Sequence, residues 1–206
     1  MIFDKLKDLK VGSVIVKTPI ADIGLIQDAP EREISKCYIH AIKGSILTNE
    51  TGVSAIVCPT NRYFKPGNGS LDEKIFEKAG SGLRRELKQL GTCEEGCAEV
   101  SGAYDLPYKY IIHVVGKVWS GNNQENERSL ARSYEAVLEK AIIYKIRSIA
   151  FPSIGTGRNA FPLNKAAGIA VETVEKFVES HPDKFDEIVW VLREENTFNA
   201  YWNIVK

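Results

Sequence analysis

The chain has 206 residues, 44% of them hydrophobic, and its 27 Lys and Arg balance 27 Asp and Glu. That is enough for one α/β domain with a sizeable core and short for two, and the neutral balance excludes the general attraction that drives binding to nucleic acid or anionic membranes. The start Met1-Ile2-Phe3-Asp4-Lys5-Leu6-Lys7 is charged and no later run is long and apolar enough to span a bilayer, so a cytoplasmic protein without membrane or nucleic-acid partners is expected.

Residues 1–36 mix prolines, glycines and charges around one β-branched stretch at 11–17. They read as an N-terminal extension on a sheet edge, leaving 37–206 as the domain proper. Strands are expected at 38–43, 55–58, 110–115, 148–151 and 187–192, most of them apolar on both alternating faces, as in a sheet covered on both sides. A helix is expected from Ser70 through Ile75, Phe76 and Ala79, broken at Gly80-Ser81-Gly82 and resumed through Leu83, Leu87 and Leu90. Leu130, Tyr134, Val137, Leu138, Ala141 and Ile142 form one apolar helical stripe, Ala166, Ile169, Ala170, Thr173, Val174, Phe177 and Val178 a second. A last helix, 196–205, covers the C-terminal side. The alternation predicts a three-layer α/β/α sandwich around a mixed, mostly parallel sheet with right-handed crossovers.

Cys37, Cys58, Cys93 and Cys97 are too few and scattered for a disulfide-stapled fold, so reduced thiols in core or turn positions are expected. Cys93, Cys97 and His113 lack a fourth metal ligand, and neither metal nor cofactor is expected. His40, His113 and His181 are dispersed, and His113 within an apolar strand reads as a core residue.

Two strand-to-helix loops carry glycines. In Ser153-Ile154-Gly155-Thr156-Gly157-Arg158-Asn159-Ala160-Phe161-Pro162 the glycines allow consecutive N–H groups to face one anion, and Pro162 suits the helix start behind them. The same pattern also serves as a plain connection. In Asn61-Arg62-Tyr63-Phe64-Lys65-Pro66-Gly67-Asn68-Gly69-Ser70-Leu71-Asp72 the order strand, glycines, helix recurs. Beyond the carboxyl ends of parallel strands, two such loops suit a ligand with more than one phosphate. Asn61 can bracket a sugar diol or simply form a turn. Asp72 is a carboxylate at a helix start, fit for chemistry or merely for the dipole. A dinucleotide fingerprint is excluded because Gly155 comes late in the chain and no acidic strand end follows, and no Gly-Lys-Ser/Thr marks an NTP-hydrolysing loop. No Ser, Cys or His has a nucleophile-elbow context.

These residues resemble the macro domain family, across roughly 38–178. The resemblance rests on Lys43-Gly44-Ser45-Ile46-Leu47, on Ala55-Ile56-Val57 leading to Asn61, on Gly67-Asn68-Gly69-Ser70-Leu71-Asp72, on Ala79-Gly80, on Gly102-Ala103-Tyr104-Asp105-Leu106-Pro107 with Ile112-His113-Val114-Val115-Gly116, and on the 153–162 loop. It implies that ADP-ribose or an ADP-ribosylated macromolecule is the partner. Its adenine would lie by Ser45 and Ile46, its diphosphate on the backbone of Ser153, Ile154, Gly155, Thr156, Gly157, Arg158 and Asn159, and its distal ribose by Asn61, Gly67, Asn68, Gly69 and Ser70. In the hydrolases of the family the carboxylate at the Asp72 position orients or activates a water, and the amide at the Asn61 position holds the distal ribose. Those two are the expected catalytic residues. Non-catalytic reading of ADP-ribose, or binding of another nucleotide or an RNA end, are the alternatives.

The sequence departs from the family pattern at five places. Ser45 stands where an adenine-reading Asp is common, Cys58 replaces a first Asn, Asn68 and Ser70 break the glycine run, one extra residue separates Asn61 from the glycines, and Asn159-Ala160 replaces an aromatic-glycine pair. The lost aromatic cover over the distal ribose falls to Phe161 or Arg158.

Overall fold

The computed structural model describes residues 31–67, 70–121 and 124–205; the stretch 11–17, Asn68 and Gly69 lie outside the described residues. In chain order the elements are β1 (Glu31–Ile34), β2 (Cys37–Lys43), β3 (Ala55–Thr60), α1 (Leu71–Ala79), α2 (Ser81–Leu90), β4 (Ala98–Gly102), β5 (Tyr110–Val115), α3 (Gln124–Ile143), β6 (Ser148–Phe151), α4 (Leu163–Ser180), β7 (Glu187–Leu192) and α5 (Glu195–Val205). The strands form one 7-stranded sheet in the order β1-β2-β7-β6-β3-β5-β4. Its five inner strands are parallel, and β1 and β4 run antiparallel at the two edges.

Period-two alternation divides the core in two. Ala55 and Val57 of β3 point to one face, under α3, α4 and α5, where Tyr134, Phe151, Trp190 and Tyr201 are fully buried. Ile56 and Cys58 point to the other, under α1 and α2, with Ile75, Phe76, Leu83 and Leu87. Three layers follow, because a sheet apolar on both faces must be covered on both. The break between α1 and α2 falls at Gly80, whose φ of +78° suits glycine and whose absent Cβ leaves room for the Asp105 carboxylate.

The edge strands β1 and β4 carry no apolar run and are additions to the five inner strands read from the sequence. β1 turns into β2 through Ser35 and Lys36 at φ 49° and 66°, so residue 36 lies in a hairpin turn of the sheet itself. The expectation of reduced cysteines fails for one pair. Cys93 and Cys97 form a disulfide across the loop between α2 and β4, while Cys37 and Cys58 are free and buried.

Parallel pairing places the carboxyl ends of β2, β7, β6, β3 and β5 at one sheet edge. Because β6 and β3 are direct neighbours, the loops that leave them face each other there.

Candidate functional site

The loop after β6 is held from beneath by tyrosines. Tyr201 Oη lies 2.9 Å from Ser153 Oγ and 3.4 Å from Tyr134 Oη, and Tyr134 Oη accepts the Ile154 N–H at 3.4 Å. Burial pushes both phenols up, Tyr134 well above its ordinary range, so they stay neutral hydroxyls. The Thr156 hydroxyl folds back on Ser153 O and Oγ, and the Phe161 N–H closes the turn on Gly155 O at 3.0 Å. Gly155 has φ +85°, where a side chain is strained. Gly157 has no such φ; its contribution is space, since a Cβ there would meet nothing within 4 Å. Among the described residues no acceptor faces the N–H groups of Gly155 and Gly157. Such a turn can receive an anion at the start of α4, with Pro162 as its N-cap.

The loop after β3 is organised by two side chains. Asn61 turns its amide into its own loop: Oδ1 accepts the N–H groups of Tyr63 at 3.1 Å and Lys65 at 3.3 Å, and Nδ2 donates to Lys65 O. That is an Asx turn, the second of the two roles open to this residue. Asp72, only 6% exposed, accepts the Gly67 N–H at 3.2 Å on Oδ2 and the Glu73 N–H at 3.0 Å on Oδ1, with the Ser70 hydroxyl against the same Oδ1. A carboxylate at the first turn of α1 thus ties Gly67 and Ser70 to the helix.

Cys58, at the end of β3, lies on the same side as α1. Burial pushes its thiol well above the ordinary range, and the Asp72 charge pushes the same way, so it is a neutral apolar neighbour of that carboxylate. Beside it in register, His113 is fully buried, its ring Nε2 2.8 Å from Ser101 Oγ. Burial lowers its pKa to about 3, which keeps it neutral and confirms it as a core residue.

The remaining positions divide into cleft and core. Ser45 caps the turn after β2 by accepting the Leu47 N–H at 3.3 Å, and Ile46 is buried with its carbonyl taken by Tyr108 Oη at 2.6 Å. Phe161 is 5% exposed and packs on Trp119 with ring centroids 4.4 Å apart, so it supports the loop from below and leaves the cleft uncovered. Asn159 is likewise used inward: its Nδ2 donates to Gly116 O at 3.1 Å, and its carbonyl accepts the Trp119 N–H at 2.8 Å. Arg158 alone of this group reaches across. Its guanidinium lies against Gly67, where a Cβ would stand 2.1 Å from Nη1 and 3.0 Å from Cζ. Tyr134 and Tyr201 are site residues that sequence reasoning missed; a tyrosine inside an apolar helical stripe, whose hydroxyl needs a buried partner, was the available signal.

Comparison with known proteins identifies the family. Residues 57–170 match the model of the macro domain family. A protein of Fusobacterium nucleatum is 44% identical over 81% of this chain and 93% of its own length. The ADP-ribose glycohydrolase MACROD2 of Xenopus laevis is 38% identical over 77% of this chain, a match that takes in 38% of that longer protein. The solved Oceanobacillus iheyensis macrodomain with ADP is 26% identical, with a TM-score of 0.78 over 85% of this chain and 93% of that one.

Proposed function

We propose that this chain, which belongs to the macro domain family, binds ADP-ribose in the cleft between the two glycine loops and hydrolyses a mono-ADP-ribosyl linkage, on protein or in O-acetyl-ADP-ribose. The observation that carries this reading is the buried Asp72 carboxylate, fixed by backbone donors beside the loop that faces the anion-accepting turn after β6. A diphosphate on the open N–H groups of Gly155 and Gly157 would leave the distal ribose on the β3 side, near Asp72. Support also comes from the likeness to MACROD2, whose name gives it glycohydrolase activity.

On O-acetyl-ADP-ribose Asp72 directs its water at the acetyl carbonyl carbon, and the sugar oxygen leaves with the electron pair and gains the proton. On ADP-ribosylated protein it orients the water toward the distal anomeric carbon and takes its proton as the new C–O bond forms. The bond from that carbon to the acceptor oxygen breaks, and the acceptor leaves with the electron pair and gains a proton. Positive charge grows on the ribose ring in between, where a carboxylate and the ligand's own phosphate stabilise it. General-base help of this kind contributes about 10²–10⁴-fold. Asn61 shapes the loop that carries Gly67.

A second reading, a reader of ADP-ribose without chemistry, is favoured by the Asn61 amide, whose donor and acceptor are both engaged within its own loop. Calorimetric titration with ADP-ribose, followed by incubation with a mono-ADP-ribosylated protein and with O-acetyl-ADP-ribose, separates the two. Binding with release of ADP-ribose is expected. Saturable binding with no release from either substrate would leave the reader, and absence of binding would overturn both.

A further inference from the structure

The disulfide loop between α2 and β4 is joined to the sheet on one flank and to the loop after β3 on the other. On the first flank the Gly96 N–H donates to Val115 O at 2.8 Å and the Val115 N–H to Cys97 O at 3.1 Å. On the second the Cys93 N–H donates to Arg62 O at 3.0 Å, and Glu94 pairs with the Arg62 guanidinium. That ion pair is exposed at both ends and adds little, so the backbone bond carries the junction. Arg62 lies inside the Asn61 Asx turn, which leads on to Gly67 and its bond to Asp72. Of the two sulfur-bearing residues, Cys93 is 2% exposed, whereas Cys97 is partly exposed and open to an attacking thiol.

We infer that Cys93 and Cys97 form a thiol–disulfide switch whose co-reactant is a dithiol reductant, and that the oxidised form holds residues 61–67 in the shape that receives the distal ribose. This rests on the ADP-ribose reading above and adds a regulator to it. In the exchange a thiolate of the reductant attacks Cys97 Sγ, the bond to Cys93 Sγ breaks, and Cys93 leaves as a thiolate that takes up a proton. The reductant's second thiolate attacks its own sulfur in the mixed disulfide and releases Cys97, which is protonated in turn. Two electrons and two protons thus pass to the protein, and the reductant closes into a disulfide. A bridge across so few residues restrains little of the unfolded chain, so its loss is felt locally. The Cys97 side stays on β5 through its backbone bonds, while the Cys93 side loses the covalent tie that fixes it beside Arg62. The turn after β6 is anchored separately by Tyr134 and Tyr201, so the diphosphate seat is unchanged.

The test compares the oxidised protein with protein reduced by dithiothreitol, and with Cys97→Ser as a form that cannot close. After reduction, hydrogen exchange should quicken at the amides of Tyr63, Lys65 and Gly67 and stay as it was at those of Ile154 and Phe161. ADP-ribose affinity should fall about tenfold while ADP affinity changes less than about twofold, and reoxidation should restore the loss. Cys97→Ser should bind like the reduced form and ignore dithiothreitol, which separates the switch from any action of the reductant on Cys37 or Cys58. Equal ADP-ribose affinity in the two states would overturn the inference, as would equal losses for ADP and ADP-ribose, or exchange at residues 61–67 that ignores reduction. Binding of neither ligand in either state would overturn the underlying reading instead, and the exchange rates would still decide whether the bond governs the loop.

Discussion

Gly67 gives its N–H to Asp72 Oδ2 at 3.2 Å, so the carboxylate at the start of α1 and the backbone of the loop leading into that helix form one unit. Asp72→Ala removes this acceptor together with those for the Glu73 N–H and the Ser70 hydroxyl. It is expected to cost about 1–3 kcal/mol in a denaturant titration and to weaken ADP-ribose binding as well. Turnover should fall further, about 10²–10⁴-fold. Asp72→Asn keeps one acceptor oxygen and should recover more stability than turnover. Near-normal turnover in the Asn variant would contradict the base role.

His113 makes folding sensitive to acid. Its folded pKa is about 3, against an ordinary 6.5, because burial disfavours the cation. Below about pH 6.5 the unfolded chain takes up a proton that the folded one refuses, so the contribution is complete above that pH and lost progressively toward 3. Between pH 7 and 5 the loss should be about 2 kcal/mol, read by urea unfolding at each pH. His113→Gln, which can still reach Ser101, should flatten that slope; an unchanged slope would assign the acid sensitivity to other groups.

The Cys93–Cys97 bond holds the loop that also carries the partner of Arg62. The Cys93 N–H donates to Arg62 O at 3.0 Å, and the Arg62 guanidinium pairs with Glu94 between the two cysteines. Closing so short a loop limits the unfolded chain by about 2 kcal/mol in the chain-entropy model. Reductant should therefore lower the melting temperature of the wild type and leave Cys93→Ser unmoved. Thiol titration of the unfolded chain should find two more thiols after reduction than before; four without reductant would show the bond absent.

Legibility in the sequence followed burial and locality. The inner strands announced themselves because β3, β5 and β7 are apolar on both faces, and the α1–α2 break because Gly80 has no helical alternative at its φ. The edge strands Glu31-Arg32-Glu33-Ile34 and Ala98-Glu99-Val100-Ser101-Gly102 stayed hidden, since polar residues on an edge erase the pattern that marks a strand. In the site, the glycines and Asp72 could be read locally. The inward turn of Asn159 to Gly116 and the reach of Arg158 to Gly67 could not, because each depends on a partner brought close only by the order of the parallel strands in the sheet. The disulfide was obscured by a composition that argues for free thiols.

Gly155 and Gly157 separate folding from binding within one loop. Gly155 has φ +85° and a would-be Cβ 3.4 Å from Phe161 Cβ, so Gly155→Ala is expected to cost about 1–3 kcal/mol of stability before any ligand is added. Gly157 has neither the φ nor a neighbour within 4 Å, and Gly157→Ala should melt at or slightly above the wild type through a less flexible unfolded chain. Its methyl group would nonetheless stand where an anion must approach the backbone. ADP-ribose affinity should therefore fall about tenfold or more in a variant whose fold is intact, as calorimetry beside thermal melting can show. If Gly157→Ala keeps both its stability and its affinity, the diphosphate does not lie on this turn, and the placement of the distal ribose beside Asp72 falls with it.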